Sequence, residues 1–260
     1  MSNSLVPSNS AIPISSLRKI TRTLHDSISR VATGLRVLGG NDAASQSLAN
    51  TLNARAKSFQ AAERNSNSGI AFLQLAESAL TELNNLATRL KEVGIADTNS
   101  NNTASDTAAL NSEAVYVSDT IDSIVSSLTY NGINVLGTSS ITKAIGINDA
   151  GDTQTIQSTT GIGATNINDA TNANTSMDTS LGEITTSLGA VAGGLTSLQS
   201  YRNVASTTAA HLIAAASNLQ DTDFAEETAI ITKQSLIKNY ALAMVATANA
   251  DEIEKLKLLA

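Results

Sequence analysis

Apolar residues recur along this chain in alternating steps of three and four. Leu17, Ile20, Leu24, Ile28, Val31 and Leu35 step 3-4-4-3-4. Leu73, Ala76, Leu80, Leu83, Ala87 and Leu90 step 3-4-3-4-3, and Leu110, Ala114, Val117, Ile121, Ile124 and Leu128 step 4-3-4-3-4. The longest series runs Met177, Leu181, Ile184, Leu188, Val191, Leu195, Leu198, then Arg202, Ala205, Ala209, Leu212, Ala216 and Leu219. A repeat held near 3.5 residues predicts long helices packed lengthwise as coiled coils. As one helix the last series is about 65 Å long. Its one charged interruption, Arg202, either fixes register or reaches for the surface along its long stem.

Breaks fall between the series. Gly34, Gly39, Gly40 and Asn41 end the first helix, and Asp42 is placed to cap the next. The polar stretch from Asp97 to Asp106 predicts a turn between antiparallel helices. Tyr130-Asn131-Gly132 reads as the close of the third helix. Ile141–Ile147 and Thr153–Ser158 alternate around Asn148-Asp149-Ala150-Gly151-Asp152, the pattern of a β-hairpin. Thr222 or Asp223 caps a last helix of roughly 224–257. The fold class is therefore mainly α: long antiparallel coiled-coil helices, paired N- and C-terminal helices and a small β-hairpin region. Residues 1–40 with 221–260 form one domain, and 41–220 another, its hairpin at about 131–170.

Composition sharpens this picture. Aromatics are 3% of 260 residues and Trp is absent, while 42% of the chain is apolar, mostly small and aliphatic. That suits thin cores between long helices better than one thick core. Both prolines, Pro7 and Pro13, precede residue 14, so no strong helix breaker follows. The net charge of −7 and pI near 4.8 argue against nucleic-acid binding and against a polybasic membrane surface. With no Cys, disulfides and thiolate metal sites are excluded. No transmembrane run is present, and the N-terminal segment lacks the features of a cleaved signal peptide.

No catalytic set emerges, and no metal or cofactor is expected. Glu226/Glu227 and Asp221/Asp223 imitate acid–base pairs, but a helix start favours negative charge anyway. Gly161-Ile-Gly163 lacks the setting of a dinucleotide loop. Asn148 to Asp152 faintly imitates a calcium loop, yet Thr159 stands where the bidentate Glu belongs. His25 and His211 have no partners at ligand spacing. The terminal helices give the stronger hint. Leu17 to Leu35 and Ile230 to Leu259 carry apolar stripes too broad for each other, and exposed apolar surface marks association. A heterologous self-contact that does not close makes a filament.

Seven pieces, in order, resemble bacterial flagellin. Ser29-Arg-Val-Ala-Thr-Gly-Leu-Arg-Val37 is similar to E-R-L-S-S-G-L-R-I, and Asn41-Asp-Ala-Ala-Ser-Gln-Ser-Leu-Ala-Asn50 to D-D-A-A-G-Q-A-I-A-N. Arg64-Asn-Ser-Asn-Ser-Gly-Ile70, Ala76-Glu-Ser-Ala-Leu-Thr-Glu-Leu-Asn-Asn85 and Tyr130-Asn-Gly-Ile-Asn-Val-Leu136 resemble R-N-A-N-D-G-I, T-E-G-A-L-N-E-I-N-N and F-N-G-V-K-V-L. Ser187-Leu-Gly-Ala-Val191 and Asn218-Leu-Gln-Asp-Thr-Asp-Phe-Ala-Glu-Glu227 resemble D-L-G-A-V and R-I-E-D-S-D-Y-A-T-E.

The resemblance implies a short flagellin without variable outer domains. Such a subunit is exported unfolded behind an uncleaved, disordered signal (here residues 1–12) and polymerises at the distal tip of an extracellular filament. Terminal helices make the inner tube, and the long coiled coil and hairpin make the outer one. Polymerisation then falls to Leu17, Ile20, Leu24, Ile28, Val31, Leu35, Ile237, Tyr240, Met244, Ile253, Leu256 and Leu259. Subunit contacts by family match are Arg36, Asn41, Asp42, Asp221 and Asp223. Implied partners are further copies of the chain, the export apparatus and its chaperone, and the cap and hook-junction proteins. The resemblance also implies an innate immune receptor of the Toll-like class, reading Arg89, Glu92, Val93 and Glu113. Thr88 and Val93 depart from that receptor patch, so weaker recognition is expected. Gly193-Gly194 departs from the family's Q-N-R-F stretch and marks a bend or a close approach. The charged ending Asp251 to Ala260 departs from an uncharged one. The rival readings are a hook–filament junction protein and a secreted, non-polymerising coiled-coil adhesin. The D-A-A-x-Q and D-S/T-D-F/Y-A-x-E pieces favour flagellin.

Overall fold

The computed structural model describes residues 11–36, 42–163, 167 and 169–259. Five helices dominate: α1 (Ala11–Thr33), α2 (Ala43–Asp97), α3 (Ala104–Ser127), α4 (Ala173–Gln220) and α5 (Phe224–Leu259). Between α3 and α4 lie two antiparallel strand pairs, β1 (Thr129–Tyr130) with β2 (Ile133–Asn134), and β3 (Ile141–Gly146) with β4 (Thr153–Thr159). The chain forms two compact units. A terminal unit comprises residues 1–53 and 212–260, and a central unit comprises residues 54–211.

In the central unit the seam of α2 is the core. Leu73, Ala76, Leu80, Leu83, Ala87 and Leu90 are all fully buried. On α4 every seventh residue (Met177, Ile184, Val191 and Leu198) is buried, while the intervening Leu181, Leu188 and Leu195 pack at the edge of the same cluster. Each heptad thus sends one residue into the centre and one along its margin. Arg202 is half-buried and donates to the Asn203 side chain. Of the two adjacent glycines, Gly194 is the close approach, since a Cβ there would stand 2.8 Å from Leu73 Cδ1. Gly193 faces open space.

The helix starts follow their capping chemistry. Thr103 and Asp106 form a reciprocal capping box on α3, with the Thr103 side chain accepting from the Asp106 amide at 3.2 Å. The expected close of α3 at Tyr130-Asn131-Gly132 is corrected. The helix ends at Ser127, Leu128 is extended, and the Asn-Gly pair is the turn of the β1–β2 hairpin. Both residues have positive φ, 51° and 74°, as a type I′ turn requires.

The β3–β4 hairpin stands where the alternation placed it, with Gly146 opposite Thr153. Its connecting loop is organised by Asn148, whose Oδ1 accepts from the amides of Ala150 and Asp152. Asp149 in turn meets Arg55 of α2 at 2.6 Å. These carboxamide and carboxylate oxygens serve the turn and its docking.

In the terminal unit α1 lies along α5. Gly34 O accepts from the Thr222 amide, Arg36 donates its amide to Gln220 O, and Leu35 bridges Asp221. Further from this junction Arg30 reaches Glu227, so α1 and α5 run antiparallel.

Candidate assembly surface

The junction residues work locally. Asp42 Oδ1 accepts from the Ser45 amide at the start of α2, and hydrogen bonding from the Ser45 side chain, then from its amide, lowers the Asp42 pKa. Arg36 donates to Leu219 O at 3.0 Å and stands 3.6 Å from Asp42. Asp223 Oδ1 caps α5 by accepting from the Ala225 and Glu226 amides, and Asp221 accepts from the Ser217 hydroxyl. Asn41 lies outside the described residues, as do residues 1–10 of the expected export segment; α1 already begins at Ala11.

Along α1, Leu17, Ile20, Leu24, Val31 and Leu35 are half-buried, while Ile28 is exposed. Their counterparts on α5 are Ile230, Ile231, Ala241, Val245 and Ala248, also half-buried. Apart from Ile28, the apolar stripe of α1 is used in this pairing.

α5 has a second apolar face. Leu236, Ile237, Tyr240 and Met244 share it by helical spacing and are exposed, Tyr240 by 73% and Met244 by 69%, while Phe224, Leu242 and Ile253 are exposed on another side of the helix. Ala225, Ala229, Thr232, Leu236, Ile237 and Tyr240 line a shallow trough on it. A helix apolar around its circumference belongs in contact on both sides, and α1 covers one. Side chains of Leu256 and Leu259 lie outside the described residues.

One contact here was not read from the sequence. Arg30 makes a two-pronged ion pair with Glu227, Nε to Oε1 at 2.5 Å and Nη2 to Oε2 at 3.1 Å, and also donates to fully buried Ser27. Glu227 is 8% exposed. Glu227 is thus both a first-turn carboxylate of α5, as expected, and the acceptor of this pair, whereas its first-turn neighbour Glu226 is exposed. The hydrogen bond from Arg30 pulls the Glu227 pKa below its ordinary value against the opposing effect of burial. The same hydrogen bond raises Arg30. The only sequence signal was polar Ser27 and Arg30 interrupting an apolar face.

In the central unit Arg89 donates to Glu113 at 2.8 Å and to Glu92 at 3.3 Å, an exposed cluster that raises the Arg89 pKa. Val93 is 2% exposed and packs in the core, so it presents no side chain there. His25 and His211 are exposed. Among the described residues no acidic, His or Cys group is arranged to hold a metal, and no helix is long and apolar enough to cross a membrane.

Fold and surface define a class: a long-helix protein whose terminal pair leaves an apolar face open for association. The family model for the bacterial flagellin N-terminal helical region matches residues 3–141. Flagellins of Salmonella rubislaw and Salmonella typhimurium are 35% identical over 135 residues, covering 51% of this chain and 27% of theirs. The flagellin of Salmonella dublin is 35% identical over 142 residues, 54% of this chain and 28% of its own length. The match thus spans little more than a quarter of these relatives. The crystal structure of Bacillus cereus flagellin aligns at a TM-score of 0.39 with 22% identity, over 60% of this chain and 93% of that one. The chain belongs to the bacterial flagellin family.

Proposed function

We propose that this chain is a structural subunit of the extracellular flagellar filament, polymerising into a helical tube that serves motility. The observation that carries the reading is the open face of α5 along Leu236, Tyr240 and Met244. An isolated amphipathic pair that leaves such a face in water is poorly stable, and neighbouring copies supply the missing surface. Ordering of the ends is then coupled to assembly. The terminal unit makes the inner tube and the central unit the outer one. Leu17, Ile20, Leu24, Val31 and Leu35 act by holding α1 on α5. Ile237, Tyr240, Met244 and Ile253 act between copies.

Delivery requires the export apparatus, a chaperone that shields α5, and the cap and hook-junction proteins at the filament ends. The chain leaves the cell unfolded. Arg89, Glu92 and Glu113 form the face offered to an innate immune receptor, weakened by the loss of Val93 to the core. The role is mechanical, not catalytic.

The test is electron microscopy of purified protein seeded with sheared filaments, beside a version lacking residues 1–36 and 224–260. Long filaments from the full chain alone support the reading. Short rings favour the junction protein. A discrete soluble oligomer unchanged by truncation favours the adhesin.

A further inference from the structure

α1 is strongly two-sided, and its outer side has not been assigned a contact. Arg18, Lys19 and Arg22 are exposed on the face turned away from α5. No acidic residue precedes Asp26 in the chain. None of the three cations enters an ion pair among the described residues. Three unpaired cations within two turns repel one another, so the helix gains wherever an acidic surface faces them.

The chain itself carries that surface. The net charge of −7 is unevenly placed. The terminal unit holds nine Lys and Arg against nine Asp and Glu, whereas the central unit holds seven against fourteen. The central unit's Arg55, Arg89 and Lys91 are already occupied by Asp149, by Glu92 and Glu113, and by Asp178. The unit's ten other Asp and Glu still outnumber its four other cations, Lys57, Arg64, Lys143 and Arg202, so its surface stays net acidic.

We propose that the Arg18–Lys19–Arg22 face is a second subunit contact, separate from the apolar face of α5, and that its occupant is the acidic central unit of a neighbouring copy. This rests on the filament reading. The division of labour follows from the chemistry. The α5 contact is apolar and insensitive to salt. The α1 contact is electrostatic, screened over about 8 Å at physiological ionic strength, and acts on the rate and register of addition. Low salt speeds subunit addition, and high salt slows it without abolishing filaments.

The test uses full-length wild-type filaments grown from an equal mixture of isotopically light and heavy chains. A carbodiimide joins Lys19 to any carboxylate in contact, and mass spectrometry reads whether the joined peptides differ in label. The expected product links Lys19 of one copy to an Asp or Glu within residues 54–211 of another. In parallel, a triple variant (R18E, K19E, R22E) with wild-type helicity by circular dichroism should elongate seeds at least about tenfold more slowly at low salt, and approach wild type at high salt. Same-label links only, or links confined to residues 212–260, overturn the proposal while wild-type filaments leave the filament reading intact. A triple variant that elongates like wild type at low salt does the same. Failure of the wild-type chain to form filaments under any salt condition overturns both.

Discussion

The Arg30–Glu227 pair should govern how firmly α1 holds α5. Replacing Glu227 by Ala removes both acceptors and leaves the guanidinium at an interface where its side chain is only 25% exposed. Breaking a fully buried pair costs about 3–5 kcal/mol, and the partial exposure of Arg30 reduces this to about 2 kcal/mol. If the pair is complete only in the assembled subunit, the cost appears in the critical concentration for polymerisation. At about 1.4 kcal/mol per tenfold, it rises about 30-fold. The assay is the soluble protein remaining after seeded growth, measured after sedimentation. The double variant Arg30→Met with Glu227→Leu should recover most of the loss, because the unpaired charge is gone. A rise below about twofold for Glu227→Ala would refute the argument. The pH dependence has a fixed sign. Because the Arg30 hydrogen bond lowers the folded pKa of Glu227, its stabilisation is complete above the ordinary value of 4.5. It is lost as pH falls through the folded value, so filaments should loosen in acid below that point. Glu227→Gln should flatten this part of the pH profile.

Tyr240→Asp or Met244→Asp should abolish filament growth while leaving the thermal melt of the central unit unchanged, because both residues point outward from the terminal pair. Gly94→Ala should do the reverse: its Cβ would stand 2.7 Å from the Asn174 amide nitrogen at the start of α4, costing about 1–3 kcal/mol and lowering the melting temperature of the central unit. Thr103→Ala removes one half of the capping box and should cost about 1 kcal/mol by urea denaturation.

The long helices were readable because a 3.5-residue repeat carries its own geometry. Each α2 position picked by spacing is buried, and on α4 the repeat separates central from marginal residues. The 148–152 loop was readable from local turn chemistry alone. The Asn131-Gly132 turn carries an equally local signal, but a Gly shortly after an apolar helical run reads equally as a helix stop, although α3 ends four residues before Asn131. What spacing could not supply was pairing across the chain. Arg30 and Glu227 are 197 residues apart, and they meet only because Leu35 bridges Asp221 and sets the register of α1 on α5. Periodicity likewise marked apolar positions on α5 without separating those that α1 covers, such as Val245, from those it leaves open, such as Met244.

The most direct measurement is a cryo-electron microscopy reconstruction of filaments grown from this chain. The account predicts that Leu236, Tyr240 and Met244 of each α5 are covered by another copy, with α1 still latched to its own α5 through Arg30 and Glu227. A tube held together by central units alone, with that face of α5 in water, would contradict it.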